Sequence, residues 1–479
     1  MLTVEEIQKY ISEDKSSEKK RLARKGQNYY EGKHDIRNYR LFYYDNDGIL
    51  KEDKYRSNVK IPHPFFTELV DQAVQYIFSG EQFAKSELPE LQTKLDEYFN
   101  YNENFTANIS DLLRGCIAKG FEYMYAYKDE DDRLAFQCTD SLGVIEIRKN
   151  NTDSRPEYVI YCYTDRVDKN HKEIKRIQVW DNSQVWYYVQ DGYGKISFDE
   201  SVKTNPKPHS TCVKSDGKSY GKSFGFIPFF RMDNNKKQIS DLKIIKELID
   251  DYDLMASSLS NNLIDFDMPL YAISGFEGDN LDELQTNLKS KKLIGLDEGG
   301  SVDVKTVDVP YQARLTKLEL DEKNIYRFGM GLNIAGLKDT SATTNIAIKA
   351  AYSLLDLKCA KLEMRLKQFL RKLAKPVLDE INEVEKTGYK QSDIWFEFKH
   401  EIMSNALENS QIKQHEANAR QTEITTLLNL ADTLDNKTII QKICEVLDIE
   451  YTEIEGRLPD KEEALNSINN ADGVLNEQL

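Results

Sequence analysis

The stretch from Ser240 to Phe266, SDLKIIKELIDDYDLMASSLSNNLIDF, decides how the chain is read. Leu242, Ile245, Ile249, Tyr252, Ala256, Leu259 and Leu263 recur in it at alternating intervals of three and four residues. An α-helix turns once every 3.6 residues, so these side chains line one stripe along a single long helix. A stripe this narrow and sustained suits packing against another helix. Pro269 is expected to stop it, since proline lacks the amide hydrogen that would continue the ladder. A second helix is expected over YQARLTKLELDEKNIYRFG, residues 311–329, with Leu315, Leu318 and Ile325 on one side. Between the two, residues 276–296 suggest a short helix, and SVDVKTVDV from Ser301 alternates like a strand.

The second helix runs into MGLNIAGLKDTSATTN, residues 330–345. Gly329, Gly331 and Gly336 and several small polar residues make helix weak there, so a loop is expected. Helix resumes near Ile346, with Leu355, Leu362, Leu366, Phe369 and Leu373 on one face. Pro376 is expected to bend it or end a segment. A strand is expected at IWFEFKH, residues 394–400, and polar helices from 403 towards an acidic end.

Upstream, residues 3–25 read as one charged helix, with a thin apolar edge of Leu2, Ile7 and Ile11 and a stop at Gly26. A turn falls at Asp47–Gly48. Pro62 and Pro64 keep the next segment extended. A helix over 65–78 presents Phe66, Leu69, Val70, Ala73, Val74 and Ile77 on one side, and 90–119 continues helical. After Gly120 the period shortens to two. Six aromatic and β-branched segments follow, read as antiparallel strands. Residues 201–223 read as a loop. Within PHSTCVKSDGKSYGKSFG, residues 208–225, Gly221-Lys222-Ser223 imitates a phosphate loop, but Asp216 stands where that loop needs glycine, so a Gly/Ser-rich hairpin is expected.

The chain has 479 residues, enough for two to four packed regions, and 40% of them are hydrophobic. The net charge is −16. A protein that grips phosphates concentrates Lys and Arg, so tight DNA binding is not expected. A wall of like charge would nevertheless let DNA slide without sticking. No apolar run reaches membrane-spanning length, and MLTVEEIQKYISEDK is no secretion signal, so a cytosolic product is expected. Six scattered cysteines and six scattered histidines show no metal or redox spacing. Asp250, Asp251, Asp253, Asp265 and Asp267 are expected on a solvated or interface face. No catalytic, metal or cofactor residues are expected.

Three stretches carry a resemblance. The first is YYEGKHDIRNYR, from Tyr29, followed by NVKIPHPFFTELVDQAVQYIFSG, from Asn58. The second is IPFFRMDNN, from Ile227, leading into the Ser240-Asp241-Leu242 helix with its Leu248-Ile249-Asp250. The third is the helix pair around MGLNIAGLKDTSATTN. In order and separation they are similar to portal proteins of tailed bacteriophages, the siphophage branch from Gram-positive hosts. The resemblance covers roughly residues 20–400.

It implies an α+β, mainly helical subunit in a homo-oligomeric ring of about twelve at one vertex of the phage head. Residues 1–238 would form the wing, 239–264 the first stem helix, 265–310 the clip and 311–330 the second stem helix. Residues 331–345 would form the tunnel loop, 346–402 the long helix with its returning wing strand, and 403–479 the crown and acidic tail. Gly331, Gly336, Lys338, Asp339, Ser341, Thr343 and Thr344 would then face double-stranded DNA through weak contacts. The implied partners are the terminase large subunit that hydrolyses ATP, a head-completion or adaptor protein, and capsid and scaffolding proteins. The implied places are the virion and, during assembly, the host cytoplasm. The rival readings are an adaptor ring without DNA passage and a cryptic metal-dependent hydrolase or nuclease.

Overall fold

A computed structural model describes residues 1–54, 56–80, 82–150, 155–167, 173–192, 194–213, 219–266, 270–276, 296–305, 310–333, 345–400, 406–430, 435–447, 449 and 451. The fold mixes helices and antiparallel sheets, with much helix. It divides into two units. One holds Met1–Gly336 with Ala351–Glu401, the other Leu337–Ala350 with Ile402–Leu479.

The charged N-terminal segment is two helices, α1 (Val4–Ser16) and α2 (Glu18–Tyr30). Ser17 breaks them because its hydroxyl accepts from the Lys20 amide as an N-cap. Gly26 does not stop α2; it lies inside it. A Cβ there would overlap the carbonyl of Ala118, so glycine serves close packing against α5 (Glu103–Lys119). Between these lie the hairpin β1 (Phe42–Tyr44) and β2 (Leu50–Glu52), α3 (Phe65–Ile77), β3 (Ala84–Lys85) and α4 (Pro89–Leu95). The six apolar residues expected on one side of α3 are all buried.

Strands then alternate as their sequence requires. β4 (Phe121–Lys128), β5 (Leu134–Thr139) and β14 (Phe229–Asp233) form one sheet in the order β14-β4-β5. β6 (Val144–Ile147), β7 (Tyr158–Val167), β8 (Glu173–Trp180), β9 (Gln184–Asp191) and β10 (Ile196–Phe198) form a second, with β11 (Lys207–Pro208) beside β9. Side chains alternate across a strand, so the second sheet buries both faces. Val159, Trp180 and Val185 pack with Phe121, Tyr123 and Phe229 of the first sheet. Ile160, Val179 and Trp186 turn the other way and pack with Ile7 of α1. The expected Gly/Ser-rich hairpin is present as β12 (Ser210–Val213) paired with β13 (Ser219–Lys222). Lys222 meets no phosphate geometry; its ammonium lies 3.1 Å from both Glu383 oxygens.

The stripe forms α6 (Leu242–Phe266) and the second expected helix is α7 (Tyr311–Gly329). β15 (Leu270–Phe276) and β16 (Leu296–Lys305) pair antiparallel between them. The short helix expected over 276–296 and the acidic end fall almost wholly outside the described residues. α8 (Asn345–Glu385) passes through Pro376 without ending. Leu370, Leu373, Val377 and Ile381 on either side are all buried, and that packing outweighs the missing amide bond. β17 (Trp395–Phe396) pairs with β3. In the second unit, α9 (Ala406–Asn429) packs on α10 (Asn436–Leu447).

Candidate functional site

α6 and α7 lie antiparallel. Asn262, near the end of α6, meets Arg314, near the start of α7. Tyr252 and Tyr326 share edge contacts with the Phe65 ring. Along the stripe, burial is graded. Leu242, Ile245 and Ile249 are buried, Tyr252, Ala256 and Leu259 half-buried, and Leu263 is 55% exposed. Leu315 and Leu320 of α7 are exposed as well. One end of the pair is thus seated in its own unit, and the other presents apolar side chains to the outside.

The second half of α6, from Asp253 to Asp265, is clamped by an extended strap. The amides of Ser57, Val59, Ile61 and His63 donate to Asp265 (3.1 Å), Asn261 (2.6 Å), Ser257 (3.1 Å) and Asp253 (2.8 Å). Two extended residues advance roughly 6.6 Å and four helical residues about 6 Å, so alternate amides meet successive turns. Pro62 and Pro64 fall at the intervening positions, where no amide is needed.

At the head of the strap, Asp253 is fully buried. It accepts from the His63 ring Nδ1 (2.9 Å) and from His34 Nδ1 (2.6 Å). The other His34 nitrogen faces the Tyr29 carbonyl at 3.2 Å, so both ring nitrogens meet oxygen atoms. Burial pushes the Asp253 pKa up, but the His34 and His63 hydrogen bonds outweigh it and hold the carboxyl below the usual range. Tyr29 stacks on His34 at 4.5 Å and donates to Asp250. The expectation of a solvated or interface face is met at Asp253 only as an internal interface: it is buried between α6 and the strap as a structural anchor. The signal that local spacing missed lay in the stretches that carry the resemblance. Tyr29, Gly32 with its positive φ, His34 and the buried Ile36 all belong to YYEGKHDI.

The loop after α7 is held at its root. Met330 adopts a left-handed conformation, φ 54°, and the Gly331 amide donates to the Tyr326 carbonyl at 2.9 Å. The Gln72 side chain accepts from the Leu332 amide (2.9 Å) and donates to its carbonyl (3.0 Å). A Cβ on Gly331 would collide with the buried Leu69 side chain, so this glycine seats the loop root on α3. Gly336, Lys338, Asp339, Ser341, Thr343 and Thr344 lie outside the described residues. No set of His, Cys, Asp or Glu side chains among the described residues converges as a metal site.

A family model described as "Phage portal protein, SPP1 Gp6-like" matches residues 8–455. The chain belongs to that family. As a phage portal protein it is a head-tail connector that forms a passage for DNA, a structural and not a catalytic role. It is 26% identical over 348 residues to the portal protein of Bacillus phage SPP1, covering 72% of this chain and 67% of that protein. It is 26% identical over 400 residues to the portal protein of Clostridium phage phiCD119, covering 78% of this chain and 83% of that one. A chain from the "Neck of native GTA particle computed with C12 symmetry" matches with a TM-score of 0.39 and 14% identity, over 81% of this portal protein and 90% of that chain, too loose a likeness to argue from.

Proposed function

We propose that this portal protein closes into a ring, of twelve copies on the family's pattern, with α6 and α7 as its stem and the β15–β16 hairpin in its clip. The observation that carries this is the graded stripe: one helix pair, buried at one end and apolar but uncovered at the other. A cyclic ring covers such a surface with the neighbouring copy and leaves no open edge. In this arrangement residues 1–238 form the wing, and the second unit contributes the crown. The loop rooted at Gly331 and Leu332 carries Lys338 and its small polar neighbours to the tunnel. DNA touches that loop briefly and is released at each step, while a terminase docked at the clip supplies the work. An adaptor protein later takes the terminase's place.

Images of the purified particle test this reading. A ring whose bore admits duplex DNA supports it; a closed disc, or a chain that stays monomeric in every condition, overturns it. Lys338→Ala and Gly336→Val test the loop. Both rings are expected to assemble, and heads built on them to hold less DNA, more severely for Gly336→Val because a β-branched residue stiffens the backbone as well as crowding the bore. Heads filled normally by both variants would remove the loop from the mechanism.

A further inference from the structure

We infer that the tip of the β1–β2 hairpin docks into a groove on the α6–α7 pair of the neighbouring copy, an acidic tip with apolar flanks meeting Arg314 in a largely polar groove. The inference rests on the ring reading and names one contact that would close it.

The hairpin first. Among the described residues it is a two-stranded sheet with no third strand. Such a sheet is marginal in water by itself. Its register places Tyr44 opposite Leu50 and Phe42 opposite Glu52, so Phe42, Tyr44 and Leu50 share one face. All three are more than half exposed, as is Ile49 at the turn. In the turn, Asp45 is occupied: its carboxylate accepts from the amides of Asp47 and Ile49 and pairs with Lys51 at 2.7 Å. Asp47 has no such cation among the described residues and stands at the tip.

The groove comes next. It has a volume of about 260 Å³ and lies along α6, α7 and the strap, with Tyr39, Leu41, Arg56, Asn262, Asp265 and Arg314 in its lining. Arg314 is half-buried, and with the Asn262 amide turned to suit, both its terminal nitrogens donate to that side-chain oxygen at 2.7 and 2.6 Å. Among the described residues no carboxylate pairs with Arg314. Arg56 keeps Asp53 at 2.9 Å, and Asp265 is tied to the Ser57 amide. A half-buried guanidinium that meets only a neutral carbonyl keeps donors for a carboxylate. Tyr311 and Leu315, three residues before and one after Arg314, are exposed on the same side of α7. The tip offers an acid flanked by apolar side chains, and the groove offers Arg314, with the exposed Tyr311 and Leu315 beside it on α7 outside the groove's polar lining.

The tip cannot serve its own groove. Leu41 lines the groove, but none of residues 42–52 does. Four extended residues carry the turn about 13 Å beyond Leu41. A contact between one patch and a different patch on the next copy is heterologous, the kind that propagates around a ring.

Differently tagged chains carrying Asp47→Cys and Leu315→Cys, co-assembled and oxidised, test the contact. Disulfides between the two tagged chains are expected. Arg314→Glu is expected to cut the assembled fraction at least tenfold at fixed concentration while the chain keeps its secondary structure by circular dichroism. Adding Asp47→Arg is expected to restore assembly by swapping the charges. If the unsubstituted chain assembles, yet Arg314→Glu assembles equally well, or cross-links form only within one chain, the contact is wrong and the ring stands. If Arg314→Glu weakens assembly without any cross-link to Asp47→Cys, another acidic surface fills the groove and the inference is overturned. An unsubstituted chain that never oligomerises overturns the ring reading, and this contact falls with it.

Discussion

Asp253 shows how much one side chain can hold. Its carboxylate satisfies the His34 ring, the His63 ring and the His63 amide at full burial. Removing the shared carboxylate from a buried cluster leaves its donors without an acceptor, which costs more than the bonds contribute. Asp253→Ala is therefore expected to lower stability by about 3–5 kcal/mol, read from the urea midpoint. A midpoint equal to that of the unsubstituted chain would show that water reaches the histidines. The sign with pH follows from the depressed pKa. The Asp253 contribution is complete above the ordinary aspartate value of 3.8 and is lost as pH falls through the lower folded-state value. Thermal melts taken from neutral into acid should fall steeply for the unsubstituted chain and less steeply for Asp253→Asn. Gln72 holds the loop root with two bonds to Leu332. Gln72→Ala should leave assembly intact and speed proteolytic cleavage within 331–345; an unchanged cleavage rate would mean that the Leu69 packing alone seats the loop.

At the scale of elements, the strap on α6 makes a pattern that can be measured amide by amide. Val59, Ile61 and His63 should exchange hydrogen slowly, because each amide is bonded to α6. Asn58 and Lys60, pointing the other way, should exchange fast. Ser257→Ala with Asn261→Ala removes the two middle acceptors and should open Val59 and Ile61 at a cost of roughly 1–3 kcal/mol. Uniform exchange across 57–63 in the unsubstituted chain would rule out the ladder. The same pairing explains why a sequence with two prolines, Pro62 and Pro64, can run flat along a helix: the missing amides fall where none is bonded.

For the whole molecule, charge decides the mode of contact with DNA. The chain carries −16, and the proposed ring would multiply that charge around its axis. Affinity driven by counterion release needs concentrated Lys and Arg, so duplex DNA should bind the purified protein weakly at physiological salt. A tight mobility shift under those conditions would contradict a sliding channel. Sedimentation should show a species many times the 55.5 kDa chain.

Periodicity made much of this legible in advance. The 3.6-residue rhythm of α3, α6 and α7 and the two-residue rhythm of β4–β9 are properties of side-chain spacing, which the chain carries whether folded or not. Charge and the absence of membrane-length apolar runs were equally local. Meanings that depend on distant partners were not legible. Gly26 read as a helix stop until Ala118 was found against it. Pro376 by itself is expected to bend the helix or end a segment; it does not end it, because the buried residues around it carry the helix through. His34, His63 and Asp253, apart in sequence by up to 219 positions, became one buried cluster only when α6 was laid beside the strap. Spacing along a chain encodes which face a residue shares with its near neighbours; which surface that face meets is settled by the long-range packing of the folded chain.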